Sequence, residues 1–471
     1  MKNENQDCTF IILGATGDLA KRKLIPAIYA LVQEKKISNF AIIGAADSTA
    51  SIGYKMMEQA REYITEFDQK IWDACCQSAA YCQLNFNNEK DFAQLHDIII
   101  ATEKKFNLSH NRLIYCSTAP HFFAPITKAL AKHNIIIKGE LGNNNKPWHR
   151  VIYEKPFGTD FVSAKKINQI ISEYLEEEQI FRIDHYLAKE IVATIAMIRF
   201  TNRVLEPLWS HHHIENIQIV LSETMGMVGR GIYYDKYGAL KDVVQNHILQ
   251  ILALVTMETP EKLSGNFIRD KKAEILKHTT AIGGLLGQYE GYKQELGVDQ
   301  NSTTETFAAL EFRIDNDRWR HTPFFVRTGK QLQKKETVIY IRFKPVECLM
   351  TTFCPSEPNF LIIRIAPEEG FSLELNAKRP GVFDEIIPVA MDYCHDCTFA
   401  PRTPQGYELL LQEVLKGEQS VSVRFDEIEY SWKIIDSIQK LNLPCYTYAK
   451  DSIGPKELYD FQIKHNMRWR A

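Results

Sequence analysis

The sequence has little net charge, no long apolar run, no internal repeat and no second C-x-x-C, and each shortage removes a class of function. Its 56 Lys and Arg against 59 Asp and Glu leave a formal charge of -3 with no basic block, so nothing gathers a polyanion and nucleic acid is not an expected partner. Polar residues open the chain from Met1 to Asp7, and the apolar run Phe10 to Leu13 behind them is far too short for a secretory leader or a membrane span. A soluble, cytoplasmic protein without membrane contact is expected. The ten cysteines are scattered, and only Cys75-Cys76 and the pair Cys394 and Cys397 lie close together. One C-x-x-C alone leaves a zinc site incomplete, so reduced structural thiols and no metal are expected; the alternative is a redox or metal pair at Cys394 and Cys397. With no low-complexity linker, any domain boundary should be a packed junction.

What is present is globular: 471 residues, 45% hydrophobic and 24% charged, enough for at least two cores. Over the first 155 residues or so, apolar strand-like runs at Thr9 to Leu13, Phe40 to Ile43, Arg112 to Cys116 and Val151 to Tyr153 alternate with helical spacing. Leu24, Ile28, Leu31 and Val32 line one such helix face. This is the pattern of an α/β, doubly wound parallel sheet of Rossmann type. After about residue 210, runs at Ile217 to Leu221, Thr306 to Phe312, Val338 to Phe343 and Phe360 to Ile365 dominate, broken by a helical stretch around Val243 to Thr256. They predict a larger α+β domain with a mixed or antiparallel sheet. The boundary is placed at residue 183, giving domains 1–183 and 184–471.

Gly14 and Gly17 fall where the first strand gives way to a helix, and glycines there let the backbone turn sharply and a pyrophosphate approach the helix N-terminus. On spacing alone, an ordinary strand-to-helix turn is an equal reading. The run from Gly14 to Leu24, however, closely resembles the opening signature of the glucose-6-phosphate dehydrogenase family. Glu154 to Gly158, Arg182 to Glu190 and Asp242 to His247 resemble that family's next three motifs, in order, and weaker matches follow at Val326 to Lys330 and Lys378 to Gly381. The resemblance covers almost the whole chain.

The resemblance implies oxidation of a sugar phosphate at its anomeric carbon, in which a base takes the hydroxyl proton while a hydride leaves for a nicotinamide. It makes His247 the base and Asp184 its carboxylate partner. It puts the substrate phosphate on His185, Tyr186 and Lys189, and Glu223, Asp242 and Lys330 around the sugar hydroxyls or phosphate. Lys155 is placed between substrate and cofactor. The cofactor-binding set becomes Gly14, Thr16, Gly17, Asp18, Leu19 and Lys23, with Asp47 and Lys155. Asp184, with Leu187, Ile191 and Ile195 following at helical spacing, reads as the first turn of a helix, on which His185, Tyr186 and Lys189 would converge on one ligand.

Three positions depart from the family. Asp47 stands where an arginine usually meets the 2'-phosphate of NADP; it either favours NAD, by repelling that phosphate and bonding free ribose hydroxyls, or points to solvent while Thr16, Ser48 or Lys23 accommodates NADP. Ala188 and Ala366 replace a glycine-like position and a sugar-facing glutamine. The implied cofactor is therefore NADP, or NAD on account of Asp47, and Lys378 and Arg379 are compatible with a second, structural NADP. The partners implied are a small sugar phosphate and a dinucleotide bound between the two domains, in a homodimer or homotetramer. A same-fold dehydrogenase of another sugar and a non-catalytic sugar-phosphate sensor are the alternatives. His211, His212 and His213, read as strand residues, would face alternate sides and so could not share one ion.

Overall fold

Six strands alternate with helices at the start of the chain: β1 (Cys8–Leu13), β2 (Phe40–Ala46), β3 (Ala79–Gln83), β4 (Arg112–Cys116), β5 (His149–Glu154) and β6 (Ile180–Ile183). The computed structural model describes residues 7–48, 53–142, 146–184, 186–187, 189–227, 229–346, 357–382, 385–399 and 406–470. All pairings among the six strands are parallel, in the order β3-β2-β1-β4-β5-β6. Every residue of β1, β2 and β4 is buried, because crossover helices cover both faces of a parallel sheet. Chain direction around the sheet reverses between β1 and β4, so the connections leaving their carboxyl ends diverge, and ligands of such sheets bind there. Helix Ile25–Gln33 is entered through one wide turn, Ala20–Leu24, whose Ile25 N–H bonds Ala20 O five residues back. Pro26, with no N–H, cannot make the ordinary bond to Arg22, and the helix widens ahead of it.

The compact unit around this sheet comprises residues 1–188, 262–269 and 404–429. Helix Gly406–Lys416 contributes Leu410, Leu411, Val414 and Leu415 to the same core as Phe10, Ile12, Ile28 and Tyr115. The buried Arg150 guanidinium donates to Val414 O and Leu415 O at 2.7 Å each, satisfying carbonyls at that helix's C-terminus.

The second unit comprises residues 189–261, 270–403 and 430–471. It holds β7 (Ile214–Ser222), β8 (Thr279–Tyr289), β9 (Phe307–Ile314), β10 (Phe324–Gly329), β11 (Glu336–Phe343), β12 (Phe360–Ala366), β13 (Gly370–Lys378), β14 (Ile386–Cys394) and β15 (Cys445–Tyr448). Their order is β14-β13-β12-β11-β7-β10-β9-β8-β15, parallel at β7/β10 and β8/β15 and antiparallel elsewhere. Val220, Phe325, Val338 and Tyr340 on one face pack with Phe461 and Trp469. The expected α/β first part and larger mixed-sheet second part are both present. Among the described residues, no helix is long and apolar enough to cross a membrane.

Three local expectations are corrected. Asp184 does not open a helix: its carboxylate accepts from Tyr186 N–H at 2.9 Å, a turn that competes with helix, and the helix runs Glu190–Phe200 behind an extended Lys189. The helical stretch expected around Val243 to Thr256 is present, as a wide-turned helical segment, Leu240–Ile248, leading into helix Leu249–Thr256. His211 to His213 form a turn ahead of β7, with the His211 and His212 rings 4.0 Å apart. Cys394 and Cys397 are joined by a disulfide, since the chain curls back at the end of β14; Cys8, Cys75, Cys76, Cys82, Cys116 and Cys445 are free thiols.

Candidate active site

In the first unit the motif residues gather at the carboxyl ends of parallel strands. Gly14 follows β1 with φ +90°, a conformation L side chains rarely adopt, and a Cβ there would lie 2.3 Å from Ser117 O. The N–H groups of Gly14 and Ala15 both bond Ala45 O, at 2.8 and 3.2 Å, so the turn is fixed to the end of β2 before the chain enters the helix. Thr16, Gly17, Asp18, Leu19 and Lys23 follow along this turn and first helical stretch. Asp18 is exposed and pairs with Lys21 Nζ at 2.7 Å, which raises the Lys21 pKa. Asp47 is exposed immediately after β2. The strand end beside it is held by Tyr81, whose hydroxyl donates to Ala46 O at 3.1 Å and Ser48 O at 2.9 Å.

Lys155 and Asp184 leave β5 and β6 side by side, because Glu154 is in register with Ile183. Asp184 is buried and Lys155 half-buried. Behind them Glu154 accepts from the hydroxyls of Tyr115 and, at 3.2 Å, Tyr407; burial nevertheless raises its pKa. Glu154 was named in the sequence only as the start of a motif, without a role, and neither tyrosine was singled out. Neither were Ser117 and Thr118, although they follow a recognisable strand at the reversal point. The buried Thr118 hydroxyl has no hydrogen-bond partner among the described residues. A glycine cradle that a Cβ would fill, with an orphaned hydroxyl beside it, fits a dinucleotide's pyrophosphate.

In the second unit Glu223 and Lys330 likewise follow adjacent parallel strands, β7 and β10, and form an ion pair. Lys330 Nζ stands 5.2 Å from the centre of the Tyr234 ring. Tyr234 is buried, its hydroxyl lacks a partner among the described residues, and burial with the charges of Asp242, Glu305 and Glu223 raises its pKa well above normal. Nothing in the sequence pattern marked this tyrosine.

Asp242 and His247 share the wide-turned segment. Five residues apart, they would diverge by about 140° on an ordinary helix of ~3.6 residues per turn. Here Leu249 N–H reaches Val244 O, also five residues back, so the turn is wider and the two residues diverge less around the axis. His247 is buried and Asp242 half-buried. Lys189 is tied to the end of β12, donating to Ile365 O at 3.1 Å and pairing with Glu369 at 3.6 Å. Tyr186 is half-buried. His185 and Ala188 lie outside the described residues.

Residues 11–194 match the family description "Glucose-6-phosphate dehydrogenase, NAD binding domain", and residues 196–470 match "Glucose-6-phosphate dehydrogenase, C-terminal domain". The chain is 38% identical to glucose-6-phosphate 1-dehydrogenase of Chlamydia pneumoniae, over 98% of this chain and 96% of that protein. It is 36% identical to that of Bacillus subtilis (strain 168), over 99% of both. A solved structure of a glucose-6-phosphate dehydrogenase in complex with its substrate glucose-6-phosphate superposes with a TM-score of 0.90 at 30% identity, covering 99% of each chain. A Mycobacterium avium glucose-6-phosphate 1-dehydrogenase structure superposes at 0.84, with 32% identity and 98% coverage of each. With both family descriptions matched in sequence order and full-length relatives in sequence and structure, the chain belongs to the glucose-6-phosphate dehydrogenase family.

Proposed function

We propose that the protein oxidises β-D-glucose 6-phosphate at C1 to 6-phospho-D-glucono-1,5-lactone, the first step of the oxidative pentose phosphate route. The observation that carries this reading is the clustering of motif residues within each unit: Lys155 beside Asp184 after β5 and β6, and Glu223 paired with Lys330 after β7 and β10. When bound, the nicotinamide dinucleotide supplies the hydride acceptor. Gly14, Thr16, Gly17, Asp18, Leu19 and Lys23 hold its pyrophosphate, and Lys155 lies between cofactor and sugar.

His247 takes the proton from the C1 hydroxyl, and Asp184 is the carboxylate that fixes its tautomer and stabilises the imidazolium. A base is what a non-catalytic sensor would not need. His185, Tyr186 and Lys189 take the substrate phosphate; Glu223, Asp242 and Lys330 bind hydroxyls or phosphate. A sugar hydroxyl also suits the orphaned oxygen of Tyr234. NADP is the family's cofactor, and the exposed Asp47 favours NAD through repulsion of a 2'-phosphate. In this reading residues 1–183 bind the dinucleotide, and residues 184–471 bind the sugar phosphate and form a homodimer or homotetramer in the cytoplasm. The exposed Val389 and Met391 on β14, the last strand of its sheet, support such contacts.

The test is the absorbance rise of reduced cofactor with glucose 6-phosphate, run in parallel with NAD and with NADP. Turnover with either supports the reading, and their efficiency ratio weighs Asp47. His247→Asn should lower kcat about 10³-fold while the sugar phosphate still binds. Near-normal turnover in that variant would overturn the assignment of the base.

A further inference from the structure

The wide-turned segment that carries Asp242 and His247 starts abruptly. Helix Gly231–Ala239 is broken at Gly238, whose φ of +63° and ψ of −178° belong to no helix, and Leu240–Ile248 begins directly after Ala239. Free N–H groups at such a start need acceptors, and one residue supplies them to both Ala239 and Leu240. Glu305 takes Ala239 N–H on its backbone oxygen at 3.0 Å and Leu240 N–H on its carboxylate Oε1 at 3.0 Å. The whole carboxylate is seated over the buried Gly238: a Cβ there would fall 2.4 Å from Oε1, 2.7 Å from Cδ and 2.8 Å from Oε2. Burial raises the Glu305 pKa against the opposing pull of the Leu240 N–H, its own N–H and Lys241. The neighbouring Thr306 anchors this residue in turn, its N–H donating to Gly287 O at 2.7 Å and its carbonyl accepting from Lys330 N–H at 3.0 Å. The Tyr448 hydroxyl lies 2.9 Å from Thr306 Oγ1 and donates to Lys330 O at 2.7 Å. Glu305 and Thr306 therefore join the start of the segment bearing Asp242 and His247 to the strand end bearing Lys330.

We propose that Glu305 is a positioning residue for the dehydrogenase reaction: by capping the segment and closing the turn at Gly238, it sets the orientation in which His247 meets the C1 hydroxyl. It acts through the segment and not on the substrate. The acceptor oxygen carries the effect, since Leu240 N–H needs a lone pair that a neutral cap supplies as well as a charged one. Removing the carboxyl leaves Leu240 N–H without its acceptor and opens space over Gly238. The segment then populates other orientations, and the fraction of bound complexes with His247 in line falls. Binding of the sugar phosphate, which draws on groups outside this segment as well, changes less than the chemical step.

This inference rests on the assignment of His247 as the base, so order in the segment, binding and turnover are measured separately. Full-length Glu305→Ala, Glu305→Gln and Gly238→Ala are compared with the parent by hydrogen exchange of amides 240–248, by the calorimetric Kd of glucose 6-phosphate, and by kcat and KM. Glu305→Ala should speed exchange in the segment and lower kcat, each about tenfold, as for the loss of one side-chain cap. The Kd of the sugar phosphate and the KM of the dinucleotide should change less than about threefold. Glu305→Gln, which keeps an acceptor oxygen, should hold kcat within about threefold of the parent. Gly238→Ala pushes the carboxylate aside and should resemble Glu305→Ala; added to Glu305→Ala, it should cost less than it does alone. If Glu305→Ala does not fold, Glu305→Gln set against Gly238→Ala makes the same comparison. An unchanged kcat in Glu305→Ala, with or without faster exchange, or a Glu305→Gln enzyme as slow as Glu305→Ala, overturns the proposal, while the active parent leaves the dehydrogenase reading intact. A folded parent that does not turn over glucose 6-phosphate refutes that reading and the proposal with it.

Discussion

Replacing Gly14 by alanine perturbs the turn after β1, proposed to hold the cofactor, at its tightest point. The added Cβ would sit 2.3 Å from Ser117 O and 3.0 Å from Ser117 C. Ser117 cannot retreat freely, because its N–H bonds Leu13 O at 2.9 Å and so closes the β1/β4 ladder. Alanine must also give up the positive φ or bear about 1–2 kcal/mol of left-handed strain, and the overlap with a fixed carbonyl adds a similar cost. Together these make the binding-competent turn about 3 kcal/mol less favourable, which lowers its population and raises the apparent KM for the dinucleotide by about 100-fold. The effect on kcat at saturating cofactor and on KM for glucose 6-phosphate should stay within a few-fold. Gly17 is an internal control: its added Cβ meets only Gly14 O, at 3.2 Å, and its φ is not in the positive region, so Gly17→Ala should raise the same KM less than tenfold. Steady-state titration of NAD and NADP at fixed sugar phosphate, with circular dichroism to establish folding, measures all of this. A folded Gly14→Ala enzyme whose cofactor KM lies within threefold of the parent would refute the reasoning.

Three other perturbations test separate parts of the molecule. Asp47→Ala should raise the NADP-to-NAD ratio of kcat/KM by about 10- to 30-fold, the repulsion expected between a carboxylate and a dianion a few ångströms apart in water; an unchanged ratio means that Asp47 does not face the ribose. Glu103 is buried, with Arg112 Nε at 2.8 Å, Arg112 Nη2 at 2.9 Å and His110 Nδ1 at 2.6 Å from its oxygens; burial raises its pKa, but Arg112 and then His110 outweigh that and leave it below normal. Because the folded pKa is depressed, this stabilisation is present above the unfolded carboxylate pKa and is lost as pH falls through the folded value. Glu103→Gln should thus cost about 3 kcal/mol at pH 7, and the gap in urea midpoint should narrow as pH drops below about 4; a pH-independent gap contradicts this. Burial lowers the Arg150 pKa to about 10, which still leaves it charged at neutral pH, and Arg150→Met should cost about 3 kcal/mol through its two carbonyl bonds. Hydrogen exchange of amides 406–416 should then speed up about 100-fold, and unchanged protection would mean that the helix is held by its leucines alone.

The parallel sheet was legible because buried parallel strands are apolar on both faces, so Thr9 to Leu13 and Arg112 to Cys116 stand out as continuous runs without any partner in view. The glycine turn was legible because Gly14 supplies a positive φ, which a glycine marks in the sequence wherever the turn's partners lie. Residues further apart were not legible in this way. Periodicity assumes one pitch, so it could not foresee that the wide turns of Leu240–Ile248 bring Asp242 and His247 nearer each other around the axis. Helix propensity at Asp184 lost to a two-residue side-chain turn, which propensity does not weigh against it. Nor does any pattern in residues 406–416 announce that their leucines complete the core around β1, or that Arg150, more than 250 residues earlier, closes that helix. The sequence by itself determined strand positions, the glycine turn and the order of the motifs, since these depend on local sterics and burial. Tertiary structure alone decided which charges meet: Lys330 with Glu223, Lys189 with Glu369, and the disulfide-closed turn behind it. Those contacts join residues far apart in the chain, and only the packing of the sheets selects them from the many pairs that their chemistry would allow.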